Sequence, residues 1–166
     1  MSKALHCHQL SKSYQQGDIE TKVLDGLDLT VEKGELLAIV GSSGCGKSTF
    51  LHLAGALDLP SSGEVFINGV NILTLSDKQR AVFRNQHIGF IYQFHHLMME
   101  FSAEENVAMP LLIRGDKPKD AMLQAKAMLE QVGLRHRGHH RPSALSGVDR
   151  QGVAIARALV TKQSPV

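Results

Sequence analysis

A glycine-rich loop between an apolar run and an amphipathic segment is the feature that most constrains how this chain can fold. The loop reads Gly41-Ser-Ser-Gly-Cys-Gly-Lys-Ser-Thr49 and satisfies the pattern G-x-x-x-x-G-K-[ST]. A continuous apolar run precedes it, which predicts a strand over Glu35–Val40 that is covered on both faces. Apolar residues then recur at helical spacing over Lys47–Leu57. The order strand, glycine loop, helix predicts an α/β fold.

The spacing within the loop has a chemical reason. Glycines let the backbone curl so that successive amides point inward at phosphate oxygens, and the following helix adds the positive end of its dipole. Lys47 is placed to reach the β and γ phosphates of a nucleotide, and the Ser48 hydroxyl is placed to ligate Mg²⁺. The predicted nucleotide-binding residues are Gly41, Ser42, Ser43, Gly44, Cys45, Gly46, Lys47, Ser48 and Thr49.

Composition excludes several other classes of protein. The 18 basic and 16 acidic residues give a net charge of +2, so the basic footprint of a nucleic-acid-binding protein is missing and we expect no nucleic-acid partner. Cys7 and Cys45 are too few and too far apart for a disulfide framework or a four-cysteine zinc site, which favours a reducing compartment. No run approaches the roughly 18 apolar residues of a membrane span.

Hydrophobic patterning predicts three further strands or strand-like segments. Polar and apolar residues alternate over Leu24–Val31, which predicts a strand with one buried face. Glu64–Ile67 is a predicted strand with Asn68-Gly69 as its turn. The apolar residues within His87–Gln93 predict another.

The chain after residue 75 is predicted to be largely helical. Three capping boxes are expected, at Ser76 with Gln79, Ser102 with Glu105 and Ser146 with Asp149. Pro118 suits a first helical position and Gly133 can close the same helix. We expect one domain over 1–166, in which 1–75 and 144–166 belong to the β and P-loop core and to a helix that follows, and 76–143 form a helical subregion.

Two further hypotheses concern a metal site formed by histidines and a reactive cysteine. His136, His139 and His140 form a cluster, but their spacing matches no regular zinc pattern and no cysteine or carboxylate lies close to them in sequence, so solvated loop histidines are favoured. One interpretation gives Cys45 a redox or nucleophilic role, because the amides of the loop would stabilise a thiolate. A spectator role at a variable position of the loop is the favoured interpretation for Cys45.

Two segments outside the loop resemble the ATP-binding cassette (ABC) ATPases. Leu145-Ser146-Gly147-Val148-Asp149-Arg150-Gln151, followed by Val153–Leu159, is similar to the family's LSGGxxQ signature and the helix after it. Tyr92-Gln93 resembles the Q-loop, and Tyr14 resembles the aromatic residue on which adenine stacks. The order and spacing of these segments agree with the family.

The resemblance implies an ABC-type nucleotide-binding fold and a set of roles. Gln93 would help to bind Mg²⁺ and the attacking water, with Ser48 as the other Mg²⁺ ligand, and Tyr14 would stack on the adenine of ATP. Two cassettes would pair head to tail as a homodimer, so that Ser146 and Gly147 contact the ATP held by the partner copy. Integral-membrane transporter subunits are the further partners that the resemblance implies.

A narrower resemblance concerns one branch of that family. Phe90-Ile-Tyr-Gln-Phe-His-His-Leu97 and Glu105-Asn-Val-Ala-Met-Pro-Leu-Leu112 look like the ATP-binding subunits of bacterial lipoprotein-releasing systems, and the macrolide-exporter and cell-division cassettes are related alternatives. This implies a peripheral subunit on the cytoplasmic face of the bacterial inner membrane. The transport process would be the ATP-driven release of lipoproteins from that membrane.

The sequence also departs from the family pattern. Val148 stands where the signature has a second glycine, and Gly152 stands where the family usually has arginine or lysine. After Lys162 the chain ends in Gln163-Ser-Pro-Val166 without the family's Walker B strand, D-loop or switch histidine, so that its general base is absent. We therefore expect a chain that is deficient in hydrolysis and C-terminally incomplete. A non-catalytic nucleotide-binding module and, less favoured, a P-loop kinase stay open as alternatives.

Overall fold

The described residues form two compact units, which we treat separately. The computed structural model describes residues 3–162, and its units meet in sequence between Arg80 and Ala81. The glycine-rich loop lies in the first unit, and Gln93 and the signature segment lie in the second. The expectation of one domain over 1–166 remains a prediction.

An antiparallel sheet of four strands organises the first unit. The strand order is β2-β1-β3-β4, and the strands are β1 (Lys3–Gln16), β2 (Ile19–Glu32), β3 (Ser62–Ile67) and β4 (Val70–Asn71). Two of the strands confirm the predictions over Leu24–Val31 and Glu64–Ile67, whereas β1 has no counterpart in the sequence analysis. Asn68 and Gly69 both have left-handed backbone conformations and join β3 to β4, as predicted for a tight hairpin turn.

One face of the sheet packs against the helix that follows the loop, α1 (Lys47–Ala54). Cys7 of β1 stands opposite Leu29 and Val65 in the pairing register, and its side chain is fully buried. Burial raises the pKa of the Cys7 thiol to about 11, so this cysteine is unreactive at neutral pH. The buried hydrophobic residues of the unit are Cys7, Leu10, Phe50, Leu53, Ala56, Val65, Ile67 and Ile72.

The predicted buried strand over Glu35–Val40 is wrong for this structure. Residues 35–40 carry no strand pairing and are all exposed, with Leu36 97% and Val40 87% accessible. Strands depend on hydrogen bonds to a neighbouring strand, and none of the four described strands pairs with this run. An apolar run can therefore have the composition of a buried strand and still lack both a neighbouring strand and packing that buries its side chains.

Helices α3, α4 and α5 build the core of the second unit, and α2 leads into it. The helices are α2 (Asp77–His87), α3 (Ala103–Arg114), α4 (Pro118–Gln131) and α5 (Gly147–Leu159). Side chains from α3, α4 and α5 pack together with residues of the connecting turns. Their buried core is Ala103, Val107, Ala108, Leu111, Ala121, Ala125, Met128, Leu129, Leu134, Leu145, Val153, Ala156 and Val160.

The predicted starts of the later helices are confirmed, whereas the helix predicted over Lys47–Leu57 ends earlier, because α1 covers Lys47–Ala54. Ser102 with Glu105 and Ser146 with Asp149 form complete capping boxes at the starts of α3 and α5. The Ser76 amide donates to Gln79 Oε1 over 2.9 Å at the start of α2. Pro118 is the first residue of α4, and Gly133 follows that helix with φ 76°.

The predicted strand over His87–Gln93 is the second correction. His87 ends α2, and residues 88–92 run in irregular conformation into a turn at Gln93 and Phe94. The β-favouring residues Ile88, Phe90 and Ile91 find no strand to pair with among the described residues.

Candidate nucleotide-binding site

The glycine-rich loop ends in a left-handed residue that starts helix α1. Gly46 has φ 93° and is the N-cap of α1, with no side chain capping the helix. A Cβ on Gly46 would lie 3.1 Å from both the Val23 carbonyl oxygen and Leu24 Cδ2, so space as well as backbone conformation favours glycine. The uncapped first-turn amides of α1 are donors that an anion can use.

Lys47 is folded into the loop. Its Nζ donates to the carbonyl oxygens of Gly41 over 2.8 Å and Ser42 over 2.6 Å, and it lies 3.5 Å from Cys45 Sγ. The ammonium group is therefore held at the loop, beside the free amides, where the phosphates of a nucleotide would need a positive charge. Lys47 is half-buried.

The remaining loop residues are accessible to a ligand. Ser42, Ser43, Cys45 and Ser48 are exposed, and Thr49 is half-buried. Free amides, an inward ammonium and an exposed hydroxyl together fit a Mg²⁺-bound triphosphate, because they supply positive charge, donors and one oxygen ligand. All nine predicted loop residues lie in one continuous segment of the first unit.

A groove of about 400 Å³ lies beneath the loop. Leucines of β2 form one wall and the exposed run 37–40 forms another, with Gly46, Lys47 and Phe50 closing the end. The lining is dominated by aliphatic side chains, so this groove belongs to the uncovered apolar surface around residues 37–40 and β2. It is unsuited to phosphate.

Tyr14 lies near the end of β1 and is 43% exposed. Its hydroxyl donates to Asp58 Oδ2 over 3.4 Å, and Lys12 Nζ lies 5.1 Å from the ring centroid and 2.7 Å from that same carboxylate. Burial raises the pKa of Asp58, but the hydrogen bonds from Lys12, Leu59 and Tyr14 outweigh it and hold the pKa below its usual range. Tyr14 thus has local partners, and its ring keeps accessible surface for stacking.

Gln93 lies at an exposed turn in the second unit. The His95 amide donates to the Tyr92 carbonyl oxygen over 3.0 Å, which closes the turn around Gln93 and Phe94. Phe90 stacks on Tyr92 with ring centroids 5.8 Å apart, and His96 meets Tyr92 edge-on at 5.0 Å. Aromatic packing therefore supports the chain on both sides of Gln93 while its amide stays accessible.

The signature segment starts helix α5. Ser146 Oγ accepts a hydrogen bond from the Asp149 amide over 3.1 Å, while Gly147 is exposed. Hydrogen bonds from the Ser146 hydroxyl and amide lower the pKa of Asp149, which keeps the cap ionised. Val148 is 84% exposed, so its side chain projects from the helix start where the family has glycine.

Two polar residues that the sequence analysis missed support the segment around Gln93. Arg157 of α5 donates to the carbonyl oxygens of His96 over 2.8 Å and His95 over 2.7 Å. Asn106 of α3 is fully buried and is hydrogen-bonded to the backbone of residues 98–102. The sequence signal for Arg157 is a charged residue within the otherwise apolar run Val153–Leu159, whereas no comparable signal singles out Asn106, which follows two glutamates.

A family model described as "ABC transporter" matches residues 24–165. The chain belongs to the ABC transporter family. The match covers the loop, Gln93 and the signature segment, so all three segments fall within one family model.

Similar proteins narrow the position of the chain within the ABC family. It is 76% identical over its full length to "Lipoprotein-releasing system ATP-binding protein LolD" of Colwellia psychrerythraea and covers 64% of that protein. It is 58% identical to the LolD of Pseudoalteromonas translucida, over 98% of this chain and 70% of the relative. The chain thus spans about two thirds of the length of these LolD relatives.

The fold is similar to that of a solved cassette. "Dimeric structure of a post-hydrolysis state of the ATP-binding cassette MJ0796 bound to ADP and Pi" superposes with a TM-score of 0.86 at 33% identity, over 95% of this chain and 70% of that one. "Dimeric Structure of MJ0796, a Bacterial ABC Transporter Cassette" gives the same values. The predicted ABC-type fold is confirmed.

Two further observations concern metals and membranes. Among residues 3–162, no three histidine, cysteine or carboxylate side chains come together as a metal site. No helix in that same range is both long and apolar enough to span a bilayer.

Proposed function

We propose that this chain binds MgATP and serves as the ATP-binding subunit of a bacterial lipoprotein-releasing ABC transporter. The observation that carries the proposal is the loop of residues 41–49, which brings uncapped helix amides, the Lys47 ammonium and the Ser48 hydroxyl together. Identity to LolD proteins over the full chain supports the choice of lipoprotein release over the related macrolide-exporter and cell-division systems.

Each site residue has a role in this proposal. Lys47 contacts the terminal phosphates, Ser48 and Gln93 hold Mg²⁺, and Tyr14 stacks on the adenine. Ser146 and Gly147 meet the ATP of a second copy of the chain, so a homodimer forms the complete site. The dimeric state of MJ0796 named in the similar structures supports that arrangement.

The partners and the location follow from the same proposal. Integral-membrane transporter subunits would hold this chain at the cytoplasmic face of the bacterial inner membrane, as a peripheral subunit. The net charge of +2 offers little attraction to nucleic acid, which we do not propose as a partner.

One observation favours a second function, a nucleotide-binding module that does not form the catalytic dimer. Val148 is exposed at the start of α5, where glycine in the family lets a backbone amide approach the phosphate of the opposite cassette. A β-branched side chain at this position narrows that approach. Both proposals have the chain bind ATP, but only the first has two copies of the chain pair when ATP is bound.

Titration calorimetry with the full chain and MgATP tests the proposal. Lys47→Ala removes the charge at the phosphates, and we expect the affinity to fall at least about tenfold, or about 1.4 kcal/mol. Lys33→Ala, at an exposed lysine of the same unit, is the matched control and should bind like the wild type. Thermal unfolding of both variants checks that they remain folded. Equal affinity in folded Lys47→Ala protein would refute the assignment of the loop.

A further inference from the structure

The segment after Gln93 is held in a strained backbone conformation. His95 and His96 have φ values of 60° and 45°, so two consecutive residues with side chains are left-handed. The His96 amide also donates to the Phe94 carbonyl oxygen over 2.6 Å, which makes a second, tighter turn. Such conformations persist only where the surroundings stabilise them, and they occur often at functional sites.

The stabilising group comes from a distant part of the chain. Arg157 Nη1 donates to the His96 carbonyl oxygen and Nη2 to the His95 carbonyl oxygen, across 61 and 62 residues of sequence. A guanidinium group can serve two adjacent carbonyls at once because its donors are fixed in one plane. The contact therefore spans the two residues whose backbone is strained.

The surroundings of Arg157 make this contact tight. Burial lowers the pKa of the guanidinium, although Tyr92 opposes that effect, and the group stays charged. Hydrogen bonds from a charged donor are stronger than neutral ones, and more so away from water. Gly89 lies against α5 as well, since a Cβ on it would clash with the Ala158 carbonyl oxygen. The chain around Gln93 thus packs on the last turn of α5 at two points.

The same helix carries the signature segment at its other end. Ser146 caps α5, and Arg157 lies about 16 Å further along the axis at 1.5 Å per residue. A helix transmits a shift at one end to the other as a rigid body. The turn that carries Gln93 is therefore tied to the element that begins with Ser146 and Gly147.

We propose that Arg157 is a positioning residue that holds the turn carrying Gln93 and joins it to the signature helix α5. The role of Gln93 toward Mg²⁺ rests on the proposed function, whereas the holding of the turn rests on the hydrogen bonds alone. Two readouts keep these parts separate.

Amide hydrogen exchange of the nucleotide-free chain tests the holding of the turn. In Arg157→Met, which keeps length but removes charge and donors, we expect exchange of the His95 and His96 amides to rise at least about tenfold. Arg157→Lys should restore part of the protection, because an ammonium group reaches one carbonyl. Arg150→Met, at an exposed arginine of the same helix, should leave the exchange unchanged. Unchanged exchange at these amides in Arg157→Met, or a rise of equal size throughout α3 and α4, would overturn the proposal.

The dependence of ATP affinity on Mg²⁺ tests the link to Gln93. We expect Arg157→Met and Gln93→Ala to lose the same part of the affinity gain that Mg²⁺ gives the wild type, with Mg²⁺-free ATP binding unchanged. If Mg²⁺ raised the ATP affinity of Arg157→Met as much as that of the wild type, the positioning role toward Gln93 would be overturned. A wild-type chain that binds no ATP would refute the proposed function, and the exchange pattern would still decide whether Arg157 holds the turn.

Discussion

Asn106 offers a direct measurement of how much buried hydrogen bonding stabilises the segment that follows Gln93. Its Oδ1 accepts the Met98 amide over 2.8 Å. Its Nδ2 donates to the carbonyl oxygens of Met98, Phe101 and Ser102 at 3.0, 3.1 and 3.0 Å. The side chain is fully buried, so water cannot replace these bonds without opening the structure.

Replacing Asn106 with alanine removes all four hydrogen bonds, and the backbone groups of residues 98–102 lose their side-chain partner. At about 1 kcal/mol of net stability for each bond, and with the two Nδ2 hydrogens shared among three carbonyls, we expect a loss of about 2–4 kcal/mol. For a chain of this size that loss lowers the melting temperature by about 5–15 °C.

Circular dichroism melts of the wild type and two variants test the estimate. Asn85→Ala is a graded control in the same unit, because Asn85 Nδ2 donates to one carbonyl, that of Pro110, over 2.9 Å. We expect a loss of about 1 kcal/mol there. If Asn106→Ala melted within about 2 °C of Asn85→Ala, the reasoning from bond number would be refuted.

Two other predictions concern the helix starts. Hydrogen bonds from the backbone and side chain of Ser102 lower the pKa of Glu105. The cap of α3 therefore stabilises the fold at pH values above the ordinary pKa of a glutamate, and this stabilisation is lost as the pH falls through the lowered pKa of the folded state. The melting temperatures of wild type and Glu105→Gln should therefore converge as the pH is lowered, and parallel pH curves would contradict this. Val148→Gly removes the exposed side chain at the start of α5, and light scattering with MgATP should show a larger dimer fraction than in the wild type. An equal dimer fraction would remove Val148 as the obstacle to pairing.

The sequence by itself determined where helices α2 to α5 start, the hairpin at Asn68-Gly69 and the glycine-rich loop that starts α1. These features depend on groups within a few residues of one another. Ser102 reaches Glu105, Ser146 reaches Asp149, and the Gly46 conformation starts the helix that carries Lys47. Short-range chemistry of this kind can be read directly from the order of residues.

Only the tertiary structure decided which apolar runs became strands and which polar side chains hold the turn after Gln93. Residues 35–40 and 87–93 have the composition of strands, but a strand forms only where another strand offers its backbone, and neither run pairs with any of the four described strands. Arg157 finds its two carbonyls more than 60 residues away. Hydrogen bonds inside a helix close over four residues, whereas strand pairing and buried polar contacts join groups that only the folded chain brings together.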